Sequence, residues 1–200
     1  TAEMALAVAL CYDWLYDVLT AEERECLGTA LHDKALAVDV DRKSYGWWMT
    51  VPHNWNQVCH GGLAAAAVAT AERNAELSER VIRRAERCLP AAMAVFAPGG
   101  AFPEGPGYWS YALDYNAIAL AAIEKYRGEP SSLCALPGFR EQAFFMDFCT
   151  GPTGILFNFS DGSAVPDPIR RGTFASWWIA ERFNLPETLS CNERALFEEY

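Results

Sequence analysis

Apolar residues recur through the first stretch of the chain at the spacing of an amphipathic helix. Met4, Val8, Cys11, Leu15 and Val18 fall three and four residues apart, which aligns them on one helical face and predicts that this face is buried. Thr20-Ala21-Glu22-Glu23 follows as a capping box, with the Thr20 hydroxyl capping the next helix and Glu23 reaching back. That second helix runs to about Val38, and so short a turn sets the pair antiparallel. The polar and aromatic residues from Asp41 to His53, among them Arg42, Lys43, Tyr45, Trp47 and Trp48, break the pattern and predict a loop.

Helical periodicity resumes near Asn54 and continues to about Arg73, thinned by Gly61, Gly62 and Ala64 to Ala67, so that a neighbouring backbone can approach closely. A fourth helix spans Asn74 to Ala97, with Arg80, Arg83, Arg84 and Arg87 on its outer face and Pro90 expected to kink it or break its hydrogen bonding. After the Pro98-Gly99-Gly100 turn, Pro106 suits the first turn of a fifth helix that reaches about Arg127. Gly128 to Gly138 reads as a loop and Phe139 to Cys149 as a sixth helix. Ile155 to Phe159 alternates as a short extended segment does, and Phe174 to Phe183 and Glu187 to Glu199 close the chain as helices. The pattern is all-α: one domain over residues 1–200, built of antiparallel α-hairpins that stack as a solenoid or curl into an (α/α) toroid. Three or four hairpins would make that toroid incomplete. The chain starts in helical register and ends without a stop signal, so it reads as part of a longer protein.

Composition narrows the partners. About half of the 200 residues are hydrophobic, which supports a core. A formal net charge of -10 argues against nucleic acid as partner and makes a polyanionic substrate workable only in a locally basic groove. Arg42, Lys43, Arg170 and Arg171 lie in loops that would supply it. No apolar run reaches the length of a membrane span. The seven cysteines show neither CxxC nor metal-ligand spacing and read as mostly buried free thiols, so no metal and no cofactor is expected.

Candidate chemistry gathers in two passages, each at the start of an apolar helix. In Pro52-His53-Asn54-Trp55-Asn56-Gln57-Val58-Cys59-His60, the residues Asn54, Gln57, Val58 and Gly61 share one face by their spacing, while Asn56 and His60 share another. Asn54 serves as a helix cap, as a ligand-binding amide, or as both; two amides one turn apart can jointly hydrogen-bond a carboxylate. His60 fits a core histidine better than a catalytic one. In Pro103-Glu104-Gly105-Pro106-Gly107-Tyr108-Trp109-Ser110-Tyr111, a tight and sparsely substituted turn precedes Tyr108, and Tyr108, Tyr111 and Tyr115 line one face. A helix N-terminus favours negative charge and would lower the pKa of a tyrosine placed there. Trp47, Trp48, Trp55 and Trp109 sit at loops or helix starts, where exposed rings suit stacking on sugars. Ser160-Asp161-Gly162-Ser163 reads as a turn, and Asp161 with Glu104 would also make a carboxylate pair of the glycosidase kind.

Together with Tyr12-Asp13-Trp14-Leu15-Tyr16-Asp17 and Phe157-Asn158-Phe159-Ser160-Asp161, these two passages resemble the heparinase II/III-like polysaccharide lyases, including alginate and oligoalginate lyases. The resemblance implies part of an N-terminal (α/α) toroid that continues into a C-terminal β-region, a periplasmic or secreted setting, and β-elimination at a uronic acid of an anionic polysaccharide. It implies Asn54 as the group neutralising the uronate carboxylate, assisted by Gln57, and Tyr108 as base, as acid, or as both. Many members draw a further histidine from the β-region, so the resemblance implies that these 200 residues alone lack a complete site and are inactive, unless His53 or His60 serves instead. Trp48, Trp55, Glu104, Trp109, Tyr111 and Arg170 would contact substrate. Two other readings stay open: an (α/α)-toroid glycoside hydrolase using Glu104 and Asp161, and a non-catalytic carbohydrate-binding or scaffold segment.

Overall fold

The computed structural model describes residues 1–38, 43–161 and 174–189, and its architecture is all-α. Helix α1 spans Ala2–Trp14, α2 Ala21–Leu31, α3 Asn54–Ala69, α4 Ala75–Met93, α5 Gly105–Arg127, α6 Phe145–Cys149 and α7 Phe174–Phe183. A π-helical turn, His32–Leu36, extends α2, and a 3-10 stretch, Lys43–Thr50, leads towards α3. The capping box forms as expected: the Thr20 hydroxyl accepts from the Glu23 backbone N–H, and the Glu23 carboxylate accepts from the Thr20 N–H at 2.8 Å. Asn74 caps α4 by accepting from the Leu77 N–H.

Helix α3 is the axis of the molecule, packed between α1 and α5 and against α4. Its glycines make this possible. A methyl on Gly61 would sit 2.3 Å from the Tyr115 carbonyl oxygen of α5, and one on Gly62 2.2 Å from the Ala2 carbonyl oxygen of α1. Both helices therefore meet α3 backbone to backbone, closer than any side chain allows. One apolar cluster joins α4, α5 and α7 through Ile82, Leu89, Phe96, Leu113, Leu120 and Ile179; a second joins α1, α2, α3 and the start of α4. Ion pairs tie the edges together. Arg127 at the end of α5 reaches both Glu79 and Glu86 of α4, each at 2.8 Å, and Arg182 of α7 pairs with Glu124 of α5.

The structure departs from the sequence reading in several places. The buried face of α1 is Ala2, Ala5, Ala9 and Tyr12, whereas Met4, Cys11, Leu15 and Val18 are exposed. The close approach at Gly62 selects small residues, so the large apolar residues are turned outward. α4 runs on through Pro90 to Met93, although Pro90, with no N–H, leaves the rung to Glu86 unmade. Arg84 is buried, its guanidinium 5.5 Å from the centroid of the Trp48 ring, while Arg83 stays outside. Residues 139–149 split into a 3-10 turn and the short α6, and α3 ends at Ala69. The extended segment is reduced to one antiparallel bridge, Thr150 to Leu156, the only β pairing among the described residues. Most of the helix expected over 187–199 lies outside the described residues. Of the thiols, Cys88, Cys134 and Cys149 are buried, but Cys11 and Cys26 are exposed. No helix among the described residues is long and apolar enough to cross a membrane.

Candidate functional site

The first turns of α3 and α5 open onto one cavity of about 440 Å³, lined by His53, Asn54, Trp55, Val58, Glu104, Tyr108, Tyr111 and Asp161. Such a volume is in the range of small-molecule sites. Sequence spacing explains the two contributing faces. Asn54 and Val58 are one turn apart on α3, and Tyr108 and Tyr111 one turn apart on α5. Gly105 completes the approach: its φ of +85° suits glycine, and a Cβ there would lie 2.8 Å from the Phe159 carbonyl oxygen. The segment that ends in Asp161 therefore packs directly against the start of α5.

One carboxylate joins the two helix starts. Glu104 stands at the N-cap position of α5 without capping its own helix. Instead its two oxygens accept from Asn54, one from the backbone N–H and one from the side-chain Nδ2, each at 2.7 Å. Of the roles open to Asn54, the helix cap is the one the structure removes. His53 occupies the cap position, and Asn54 is the first-turn residue whose orphan N–H Glu104 satisfies from across the cavity. An amide nitrogen carries two protons, so Asn54 keeps a second Nδ2–H beyond the one given to Glu104.

Tyr111 donates its hydroxyl proton to Glu3 Oε1 at 2.7 Å, and burial together with that carboxylate raises its pKa. Tyr115, behind it, is raised by burial as well. Both stay protonated at neutral pH.

Four other residues expected at the site lie elsewhere. Gln57 is fully buried, its amide without a hydrogen-bond partner, and it does not line the cavity with Asn54. A step of three residues along a helix turns about 60° short of a full turn, enough to direct Gln57 inward while Val58 takes the cavity wall. His60 is buried with its ring centroid 4.9 Å from that of Trp48, and Nε2 is 3.4 Å from the Met49 carbonyl oxygen. Burial depresses its pKa to about 4, so it is a neutral core histidine. Trp48 belongs to the same buried layer. Trp109 is in the core, its indole N–H donating to Gln142 Oε1 at 2.8 Å against Phe145. Arg170, Arg171 and Arg42, and the side chain of Lys43, lie outside the described residues. His53 lines the cavity and His60 does not, which decides between them as the nearby histidine.

The charged or titratable lining is Glu104, Asp161, His53 and the tyrosines, and among the described residues no cluster of His, Cys, Asp or Glu could hold a metal ion. The arrangement offers hydrogen-bond donation from an amide, proton transfer at a phenol and an imidazole, and an aromatic lip at Trp55. The chain matches no family model and no curated protein.

Proposed function

We propose that this cavity cleaves a uronic-acid-containing polysaccharide by β-elimination. The observation that carries the reading is the convergence of Asn54 and Tyr108 on one sugar-sized hollow, from the starts of two different helices. The chemistry requires such a pair. The proton on C5 of a uronate is weakly acidic, because its removal places charge on a carbon already next to a carboxylate. A donor to that carboxylate stabilises the developing charge. Asn54 supplies it from its second Nδ2–H, held in place because Glu104 grips the first. Tyr108 Oη takes the C5 proton. The electron pair forms the C4–C5 double bond, the C4–O bond breaks, and the leaving oxygen is protonated by Tyr108 or by His53.

The test is product formation. The full-length protein incubated with alginate, heparan sulfate and hyaluronan is expected to give an unsaturated uronate on at least one polymer, seen as rising ultraviolet absorbance. No rise on any of them overturns the reading.

A second reading, glycoside hydrolysis by Glu104 and Asp161, is favoured by the presence of both carboxylates in the cavity wall. It is the weaker one, because both Glu104 oxygens are engaged by Asn54 and the carboxylate serves the scaffold. New reducing ends without a double bond would identify it.

A further inference from the structure

The rim of the cavity carries an aromatic group that the elimination does not use. Trp47 and Trp55 are 59% and 52% exposed, unusually open for the largest apolar side chain. Their ring centroids are 5.8 Å apart at an interplanar angle of 53°, and Trp47 is also 6.5 Å from the His53 ring. His53 and Trp55 line the cavity, so the group is continuous with it. It is also anchored. Trp48, next to Trp47, is buried against His60 and under Arg84, which fixes the backbone from which Trp47 projects. Trp55 stands in the first turn of α3, held by Glu104 through the neighbouring Asn54. Two broad rings are thus kept in water, on rigid supports, at the mouth of a pocket.

We propose that Trp47 and Trp55 form a stacking subsite for a pyranose ring adjacent to the one held by Asn54 and Tyr108. Indole presents a flat, electron-rich face. The C–H face of a pyranose is apolar and carries slightly positive hydrogens, so the two surfaces match without requiring a charged partner. The binding energy this adds is ground-state binding, remote from the reacting carbon, and it selects for chain length rather than for the bond broken. Nucleobases stack on indole too, so an oligonucleotide is the comparator that separates the two ligand classes.

The proposal rests on the carbohydrate reading above, and its test separates the two. In a Tyr108→Phe background, which slows turnover, the affinity of short and long oligomannuronates is measured by calorimetry and by tryptophan emission, with cello-oligosaccharides and an oligonucleotide as comparators. Trp47→Ala is expected to weaken the long oligomannuronate by about tenfold, the order of one lost aromatic stacking contact, and to leave the shortest nearly unaffected. Trp47→Phe restores part of the loss, which a folding defect would not do. Trp14→Ala, at another exposed tryptophan, changes nothing. Equal affinity of Trp47→Ala and its parent for the long ligand, tighter binding of the oligonucleotide than of any glycan, or no glycan binding at all overturns the subsite. Chain-length-dependent binding through Trp47 with no unsaturated product from the unmutated protein would keep the subsite and overturn the lyase.

Discussion

Two neighbouring regions draw mainly on the same stretch, residues 48–60, and have opposite physical characters. The cavity wall takes His53, Asn54, Trp55 and Val58; the layer beneath takes Asn56, Gln57 and His60, with Trp48 and Arg84. In the wall, polar groups meet solvent or each other across two helices. In the layer, they are shut in. Asn56 donates from Nδ2 to the carbonyls of Met49 at 2.8 Å and Cys88 at 3.1 Å, pinning the 43–50 stretch and α4 to α3. Composition does not separate the regions, since both are rich in amides, imidazole and indole. Direction separates them, and a step of one residue along α3 is enough. In the proposed lyase the wall does the chemistry and the layer holds the wall in position.

The largest effect that tests this division is on catalysis. Tyr108→Phe is expected to lower turnover of a uronate polymer by about 10²–10⁴-fold, the range for a lost general acid or base, with the urea unfolding midpoint unchanged. A matching drop in stability would make Tyr108 part of the layer.

The next effect concerns the layer, through His60. Its folded pKa of about 4 lies below the ordinary 6.5 because burial disfavours the charged ring. Below pH 6.5 the unfolded chain binds a proton that the folded chain refuses. Stability therefore falls as the pH drops from 6.5 towards 4 and levels off below that, by roughly 3 kcal/mol for this group. Urea titrations across this window are expected to lose that limb in His60→Leu, while activity at neutral pH persists.

Glu104 straddles the two regions. Glu104→Ala removes both hydrogen bonds that tie it to Asn54 across the two helices and is expected to cost about 1–2 kcal/mol in chemical unfolding. It also frees the Asn54 side chain, so activity falls further than stability predicts. The smallest effect belongs to neither region. Trp14→Ser, at an exposed end of α1, is expected to stay within about 0.5 kcal/mol of the parent.

Much of this was legible in the sequence. Local signals carried the all-α pattern, the Thr20 capping box and the start and end of α5. The pairing of Asn54 with Tyr108 followed from two polar helix starts separated by one helix. Other features depend on what stands opposite, which spacing does not encode. The large apolar residues of α1 define a face, yet the face that packs is its alanine stripe, because Gly62 brings the two backbones together. Gln57 and Asn54 share a stripe by helical arithmetic, but α5 opposes α3 so closely that only the outermost turn remains open. Trp48 and Trp47 differ only in which side of a 3-10 turn they leave. A signal did exist for Val58, which follows Asn54 by four positions.

The paired glycines of α3 have a consequence for specificity. With a carbonyl seated against each, on opposite neighbours, the helix is fixed in rotation about its long axis and in travel along it. The angular setting of the Asn54 amide is therefore decided two turns away, by residues that have no side chains, and a substitution at Gly61 would re-aim the cavity without touching any group that faces it.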